Sequence, residues 1–490
     1  MLVRLKRIHP DALRDLLAVS WQFMNSKARK KRDTSMMARW LAVAMVITLP
    51  ALAGAQNPPR PDADPRIEKI VASVSEERLK ELLTRLVSFG TRNTLSDQES
   101  PTRGIGAARN WILEEMRRSS EKLRVNFDTH IIAPQGRITS QVDLRNVMAV
   151  LPGRSPRRIY VSGHYDTVNI GGQNVSNSSA PGANSGGDRQ TRPGFDPNVE
   201  ANGANDDGSG TVLTMELARV VAESGIEFDA TLVFIAWAGE EQGLVGSNVH
   251  AEDLKKNNVP VEAVFNNDIV GNSLGGNGIR DAESVKVYAI GPEDSPARSL
   301  ARHIRKTAGV YVPSHRVRLM AREDRFGRGS DQSSFSQNGF PAVVFREANE
   351  NFERQHGADD KIDGVDFGYL AQNARVNAAG VASLALAPPA PKVTNDRGGN
   401  MLSRDPSGYD ATMRWNASPG AVAYRIYWRD TWTNDWEHSQ TIGNVTQFTL
   451  KNVNIDDFVF GVSAIGADGQ ESLVSGYVSP VRQGTTIKRQ

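Results

Sequence analysis

The sequence predicts an α/β fold, a mixed and mostly parallel sheet sandwiched by helices, followed by a small all-β sandwich. Arg158-Ile-Tyr-Val-Ser-Gly-His164, Thr231-Leu-Val-Phe-Ile-Ala-Trp237 and Pro341-Ala-Val-Val-Phe-Arg346 are nearly unbroken apolar or β-branched runs. Such runs mark strands covered on both faces. Helical periodicity alternates with them, most clearly over residues 211–221 and 366–387, as in repeated strand–helix units. From Pro391 the texture changes to short alternating runs between Gly and Asn/Asp turns, the pattern of a sandwich.

Taken in order, residues 1–35 are basic and lack a core pattern. From Met36-Met-Ala-Arg39 a positive start leads into an apolar run over 40–49 and a small-residue site at Ala53-Gly-Ala55. This is the layout of a secretory signal peptide, and the apolar run is shorter than the roughly 20 residues of a membrane span. Translation is accordingly expected to begin at Met36 or Met37, and no stable membrane span is expected after processing. The chain has 490 residues, with 58 Lys+Arg against 56 Asp+Glu. Removing residues 1–55 takes away ten basic and three acidic residues and leaves a formal charge of −5. This balance argues against a nucleic-acid partner. A cysteine-free exported protein has no disulfide staples, which points to a bacterial periplasmic or extracellular setting.

Residues 56–66 form a proline-rich linker, 67–389 the main domain and 390–484 the β-sandwich. Within the main domain, 67–89 reads as one or two amphipathic helices, with a helix start at Ser75-Glu-Glu. Helix is expected over 104–118 and strands over 125–132 and 141–151. Residues 169–202 are rich in Asn, Gly and Ser without periodicity, a surface loop near the site mouth. The helix after Gly210 takes Ser209 as its cap. A strand is expected over 284–291, a basic-faced solvated helix over 295–309, and an arginine-rich solvated loop over 316–328. The β-sandwich strands are placed at 409–415, 424–428, 447–450, 458–464 and 477–481. Trp432 and Trp436 are read as packing or loop-covering residues, with a polymer or protein contact as the alternative.

Carboxylates and histidines recur where these oily runs end. His164 and Asp166 close one run, and Asp206 and Asp207 lie in the turn Gly203-Ala-Asn-Asp-Asp-Gly-Ser-Gly210. Glu240 and Glu241 follow another run, Asp268 closes Val261-Glu-Ala-Val-Phe-Asn-Asn-Asp268, and His356 lies in the loop after Arg346. Sites in open α/β sheets collect beyond the carboxyl ends of the strands. Adjacent residues leaving a strand point to opposite sides, so Glu240 and Glu241 are expected to do different jobs. Nitrogen and carboxylate ligands without cysteine suit Zn2+, with Mn2+ or Co2+ as substitutes. His164, Asp206, Glu241, Asp268 and His356 are too many for one open zinc and suit two.

His164-x-Asp166, the 203–210 turn, Gly239-Glu-Glu-x-Gly243, Asn267-Asp268 and the late His356 resemble the co-catalytic di-zinc aminopeptidases over roughly residues 67–387. The resemblance implies a zinc-exopeptidase fold. It implies that His164 and Asp268 hold one zinc, Glu241 and His356 the other, that Asp206 bridges, and that Glu240 is the general base. Asp166 would orient His164, and Asp360 would orient His356. Asp331, in Gly329-Ser-Asp-Gln-Ser-Ser-Phe335, would support the site, although Gln332 stands where the family commonly has histidine. Gln355 stands where a tyrosine often precedes the histidine, leaving the non-metal oxyanion donor unassigned. Trp415, Tyr424-Arg-Ile-Tyr-Trp428 and Phe458-x-Phe-x-Val-x-Ala464 resemble a fibronectin type III module, with Phe458 at the usual corner-tyrosine place.

The expected activity is a metallo-exopeptidase removing N-terminal residues from peptides with a free amino terminus. The zinc ions would polarise the carbonyl and acidify water while Glu240 moves the proton. Alternatives are a carboxypeptidase or dipeptidase on the same metals, a one-zinc glutaminyl cyclase, and a non-catalytic adhesion protein.

Overall fold

The computed structural model describes residues 63–170, 196–404 and 407–478. The expected signal peptide, the start codon, most of the linker, most of the 169–202 loop and the segment from 479 onward lie outside these residues. The chain begins with α1 (Pro65–Ala72) and α2 (Glu76–Val87), so the 67–89 pattern is two helices. Ser75 caps the second by accepting from the Arg78 amide. Then follow α3 (Gly104–Ser119), β1 (Arg124–Ile132), β2 (Val142–Leu151), β3 (Arg158–His164), α4 (Gly208–Glu223), β4 (Thr231–Trp237), α5 (Val245–Lys256) and β5 (Val261–Asn267). The domain closes with β6 (Ser284–Ala289), α6 (Pro296–Tyr311), β7 (Arg316–Met320), α7 (Gln332–Gln337), β8 (Ala342–Glu347) and α8 (Phe367–Leu386).

The eight strands form one mixed sheet in the order β1-β2-β4-β3-β5-β8-β6-β7. Its centre, β4-β3-β5-β8, is parallel. Four carboxyl ends therefore emerge at one edge, delivering Trp237, His164, Asn267 and Glu347 side by side. One face packs Val161, Phe234, Phe265 and Phe345 against helices including α4, α6 and α8. The other packs Tyr160, Ile235, Trp237 and Phe335. Burial on both faces explains why these strands read as continuous apolar runs.

Two expectations fail at the sheet's end. Arg316–Met320 is an edge strand and not a loop, paired with β6. Of the arginines beyond it, Arg325 and Arg328 bind the Glu350 carboxylate at 2.7 and 3.0 Å and are only partly exposed.

The small antiparallel β domain places β9 (Leu402–Ser403), β10 (Ala411–Arg414) and β13 (Gln447–Leu450) in one sheet. Its second sheet holds β11 (Ala421–Asp430), β12 (His438–Ile442), β14 (Phe458–Gly466) and β15 (Ser475–Gly476). Trp415, Tyr424, Ile426, Phe460 and Val462 fill its own core. The strands β9 and β12 escaped the sequence reading because one is two residues long and the other, His-Ser-Gln-Thr-Ile, carries little apolar signal. The basic face of α6 is not solvated as expected but docks this domain. Arg302 donates to the Asn434 carbonyl, Lys306 pairs with Glu471 at 2.7 Å, and Asp294 before the helix takes both 2.8 Å bonds from Arg429. Trp436 packs beside Arg302, Arg429 and Tyr427, while Trp432 is exposed.

Candidate metal centre

Three close approaches assemble the site at the parallel edge. A Cβ on Gly210 would stand on the Asn267 carbonyl oxygen, and one on Gly163 would meet the Gly210 backbone at 2.5 Å. Only glycine lets the start of α4 seat between the ends of β3 and β5. Thr211 Oγ1 donates to the His164 carbonyl at 2.7 Å and locks the contact. Asp207, and not the expected Ser209, caps α4 by accepting from the Gly210 amide at 2.8 Å. Its oxygens also accept from the His164 amide at 3.0 Å and the Ile269 amide at 3.2 Å. Ser209 instead donates to the Asn205 carbonyl and accepts from the Val270 amide.

Two groups of potential ligands result, His164 with Asp207 and Asp268, and Asp206 with Glu241 and His356. With its oxygens spent on three backbone amides, Asp207 serves as a hydrogen-bond acceptor for the turn. Asp206 lies between the imidazoles, Oδ1 3.3 Å from His164 Nε2 and Oδ2 3.0 Å from His356 Nε2. His164 Nε2 is also 3.9 Å from Asp268 Oδ1 and 4.0 Å from Glu240 Oε2, and His356 Nε2 is 3.7 Å from Glu241 Oε2. The structure thus brings together all five expected ligands and Glu240. His356 is the most exposed of them, its side chain 28% accessible.

Glu240 and Glu241 sit in a turn after β4, allowed by the left-handed Gly239 (φ 77°). Asp166 holds that turn: Oδ1 accepts from the Glu240 amide and Oδ2 from the Glu241 amide, both at 3.2 Å, and Oδ2 also accepts from Thr94 Oγ1 at 3.1 Å. His164 Nδ1 faces the Asp166 carbonyl oxygen at 3.2 Å and its carboxylate only at 3.6 Å. The expected orienting contact is therefore made mainly by the main chain. Asp360 differs further from expectation. Its carboxylate accepts from the Asn205 amide at 3.0 Å and the Asp206 amide at 2.8 Å, so it steadies the Asp206 turn rather than His356. Gln355 bridges Glu350 and Arg328.

Concentrated buried acid dictates the electrostatics. Burial, then neighbouring carboxylates, push Glu240 and Glu241 well above the usual carboxylate range. Burial alone would raise Asp206, but His356 and His164 outweigh it and hold it well below that range. Burial opposes charge on His164, yet Glu240, Asp166 and Asp206 keep its pKa well above that of free imidazole. Burial pushes the Asp331 carboxyl up to about 7, against the lowering influence of His164 and the Ser247 hydroxyl. Asp206 Oδ2 and Asp268 Oδ1 are buried acceptors without an aligned donor. Buried acceptors of this kind normally have partners. Divalent cations fit them, and the nitrogen–oxygen donor set suits zinc.

Several residues of the site carried no sequence signal. Buried Arg92 donates to the carbonyls of Tyr165, Asn202 and Gly203, tying the loop after β3 to the Asp206 turn. Burial lowers its pKa to about 10. Glu347 accepts from Asn205 Nδ2 and the Asn272 amide, both at 2.9 Å. Arg346 lies against Asp268. A charge inside an otherwise apolar strand was the available clue for the last two.

Residues 146–381 match Peptidase family M28. Over 449 residues the chain is 35% identical to a "Probable zinc metalloprotease" of Leptosphaeria maculans, covering 84% of this chain and 97% of that one. The chain belongs to peptidase family M28. It is 38% identical over 454 residues to a second such protein, from Pyricularia oryzae, covering 84% of each. Among solved structures it is similar to the Legionella pneumophila LapA aminopeptidase, at 20% identity and TM-score 0.48 over 66% of this chain and 75% of that one. It is also similar to the Porphyromonas gingivalis glutaminyl cyclase, at 17% identity and TM-score 0.48 over 63% and 98%. As an M28 member the chain is a metallopeptidase, a hydrolase whose substrates are peptides. Both curated relatives are fungal, so the bacterial setting expected above loses its support. Lack of cysteine excludes disulfides in any organism and does not tell one kingdom from another. No helix among the described residues is long and apolar enough to cross a membrane.

Proposed function

We propose that this M28 peptidase is an exported aminopeptidase with two zinc ions, His164 and Asp268 holding one, Glu241 and His356 the other, and Asp206 bridging. The observation that carries this reading is the placement of Asp206, one oxygen toward each imidazole at 3.3 and 3.0 Å. When bound, zinc at these residues would polarise the scissile carbonyl and lower the pKa of the attacking water. Glu240 has its carboxylate beside His164 and its backbone pinned by Asp166, and it is the group free to move protons. Placed beside the metal position without being one of its proposed ligands, it can take the water's proton and return it to the departing amine. Asp166 fixes the Glu-Glu turn, Asp360 fixes the Asp206 turn, and Asp331 remains a supporting group behind the site. The water's oxygen would bond to the carbonyl carbon as the C–N bond breaks, and release of the freed amino acid and of the shortened peptide, its amine carrying the proton from Glu240, would complete one turnover.

The proposed domain limits of 67–389 and 390–484 are supported by a second apolar core built between Val393 and Tyr477, and the split of three and four strands supports a fibronectin type III-like module. The expected result for Glu240→Gln is retention of both metals with kcat lowered by about 10²–10⁴-fold on an aminoacyl chromogenic substrate. Near-normal turnover with bound zinc would refute the role of Glu240. Carboxypeptidase substrates with a blocked amino terminus should be spared and N-terminal glutaminyl substrates should not cyclise; cleavage of the former or cyclisation of the latter would overturn the aminopeptidase reading.

A further inference from the structure

Arg346 lies on β8 with no exposed side-chain surface, one strand away from Asp268. Its Nη1 is 2.6 Å from Asp268 Oδ1 and donates to the Asp268 carbonyl at 3.0 Å. Because the hydrogen bond goes to the carbonyl, the contact with Oδ1 is one of charge, and Oδ1 keeps no aligned donor. On the far side, Nη2 is held by Asp324 Oδ2 at 3.0 Å, and Asp324 also accepts from the Arg325 amide and Gln332 Nε2. Oδ1 is the Asp268 oxygen facing His164 Nε2, so a cation at the His164–Asp268 position shares that oxygen with a guanidinium.

The two metal positions therefore differ. Asp206 and Glu241 face imidazoles at 3.0–3.7 Å, which bind a metal in neutral form, and the hydrogen bond of Arg137 there goes to the Glu241 carbonyl at 2.7 Å. A guanidinium keeps its charge throughout. Asp268 does not depend on Arg346 for its place in the chain. It follows the last residue of β5, its amide donates to the Phe345 carbonyl at 3.3 Å, and the next amide is held by Asp207. What Arg346 adds is positive charge beside a buried group of acids. Arg92, the other buried guanidinium of the site, spends its donors on carbonyls.

We infer that Arg346 is a positioning residue that neutralises Asp268 in the metal-free protein and makes the His164–Asp268 position the weaker of the two metal sites. This rests on the two-metal reading above. Whatever stabilises the metal-free state works against metal binding by linkage, so removing the charge tightens the site and destabilises the empty protein.

The test is a Zn2+ titration of the chelator-stripped full chain against a competing chromophoric chelator, with melting temperatures of the stripped and loaded forms. Arg346→Met is paired with Asp324→Asn so that Asp268 is the one carboxylate whose partner charge is removed. Wild type should show a tighter and a weaker site. In the double variant the weaker constant should tighten by about 10–100-fold, the usual span for groups behind metal ligands. The gap in Tm between stripped and loaded protein should widen. Arg346→Lys, which keeps the charge, should resemble wild type. If the double variant is recovered only with zinc, stripping it with graded chelator yields the same constant. An unchanged or weakened second constant, or equal tightening in Arg346→Lys, overturns the inference while leaving two metals in place. A single bound zinc in wild type and double variant alike overturns the two-metal reading with it.

Discussion

Asp166→Asn isolates what the buried aspartate behind the Glu-Glu turn contributes. The carboxylate has no exposed surface and accepts three hydrogen bonds, from the Glu240 amide, the Glu241 amide and Thr94 Oγ1. An asparagine amide presents one oxygen and one NH2 group. Turned one way, the NH2 faces the Glu240 N–H; turned the other, it faces the Glu241 N–H and the threonine hydroxyl. The hydroxyl can rotate to accept, but a backbone N–H cannot, so either rotamer leaves one buried amide without an acceptor. That costs about 1–3 kcal/mol, and the surviving bonds lose their charge assistance, so about 2–4 kcal/mol in total is expected. Urea unfolding of the zinc-loaded protein should show a lower midpoint at unchanged slope. Because the same amides set the position of Glu240, kcat should fall by about 10–100-fold with zinc still bound. A stability change under about 0.5 kcal/mol, or wild-type turnover, would show that Asp166 does not hold the turn.

Gly210→Ala should fail to form the site, since its methyl group would occupy the Asn267 carbonyl oxygen and the Asp207 carboxylate. A loss of at least about 3 kcal/mol and of zinc binding is expected, whereas a stable, zinc-loaded alanine variant would deny the close approach. His303 in α6 donates from Nε2 to the Gly380 carbonyl, and burial lowers its pKa to about 4. Its folded pKa lies below the unfolded value near 6.5, so the native state binds fewer protons between them. Its stabilisation is present above pH 6.5 and is lost as pH falls towards 4. Wild type should therefore lose up to about 3 kcal/mol more than His303→Gln between pH 7 and 4; parallel pH curves from chemical denaturation would remove the assignment.

Much of the site could be read from the chain because the candidate ligands His164, Glu241 and Asp268 sit where buried strands stop, with Asp206 and His356 in adjoining loops. The parallel centre of the sheet requires continuous apolar runs, and the residues ending them emerge at one edge. Asp166, Asp360 and Asp331 were visible as acids near that edge, but their partners were not. The Asp166 carboxylate grips two amides more than seventy residues away, and Asp360 grips the turn holding Asp206. Local spacing cannot specify which distant amide a carboxylate meets. The same limit hid the docking role of α6, whose basic face is indistinguishable in sequence from one meeting water.

The central buried strands, the helices with clear periodicity and the candidate ligands were legible in the sequence alone, because period and burial are local properties of neighbouring residues. Tertiary structure alone decided that Asp207 caps a helix while Asp206 faces both imidazoles, and that a buried arginine lies against Asp268. Those outcomes depend on which strands lie side by side, and β8 comes to lie against β5 across more than seventy intervening residues. No pattern within either strand records that neighbour.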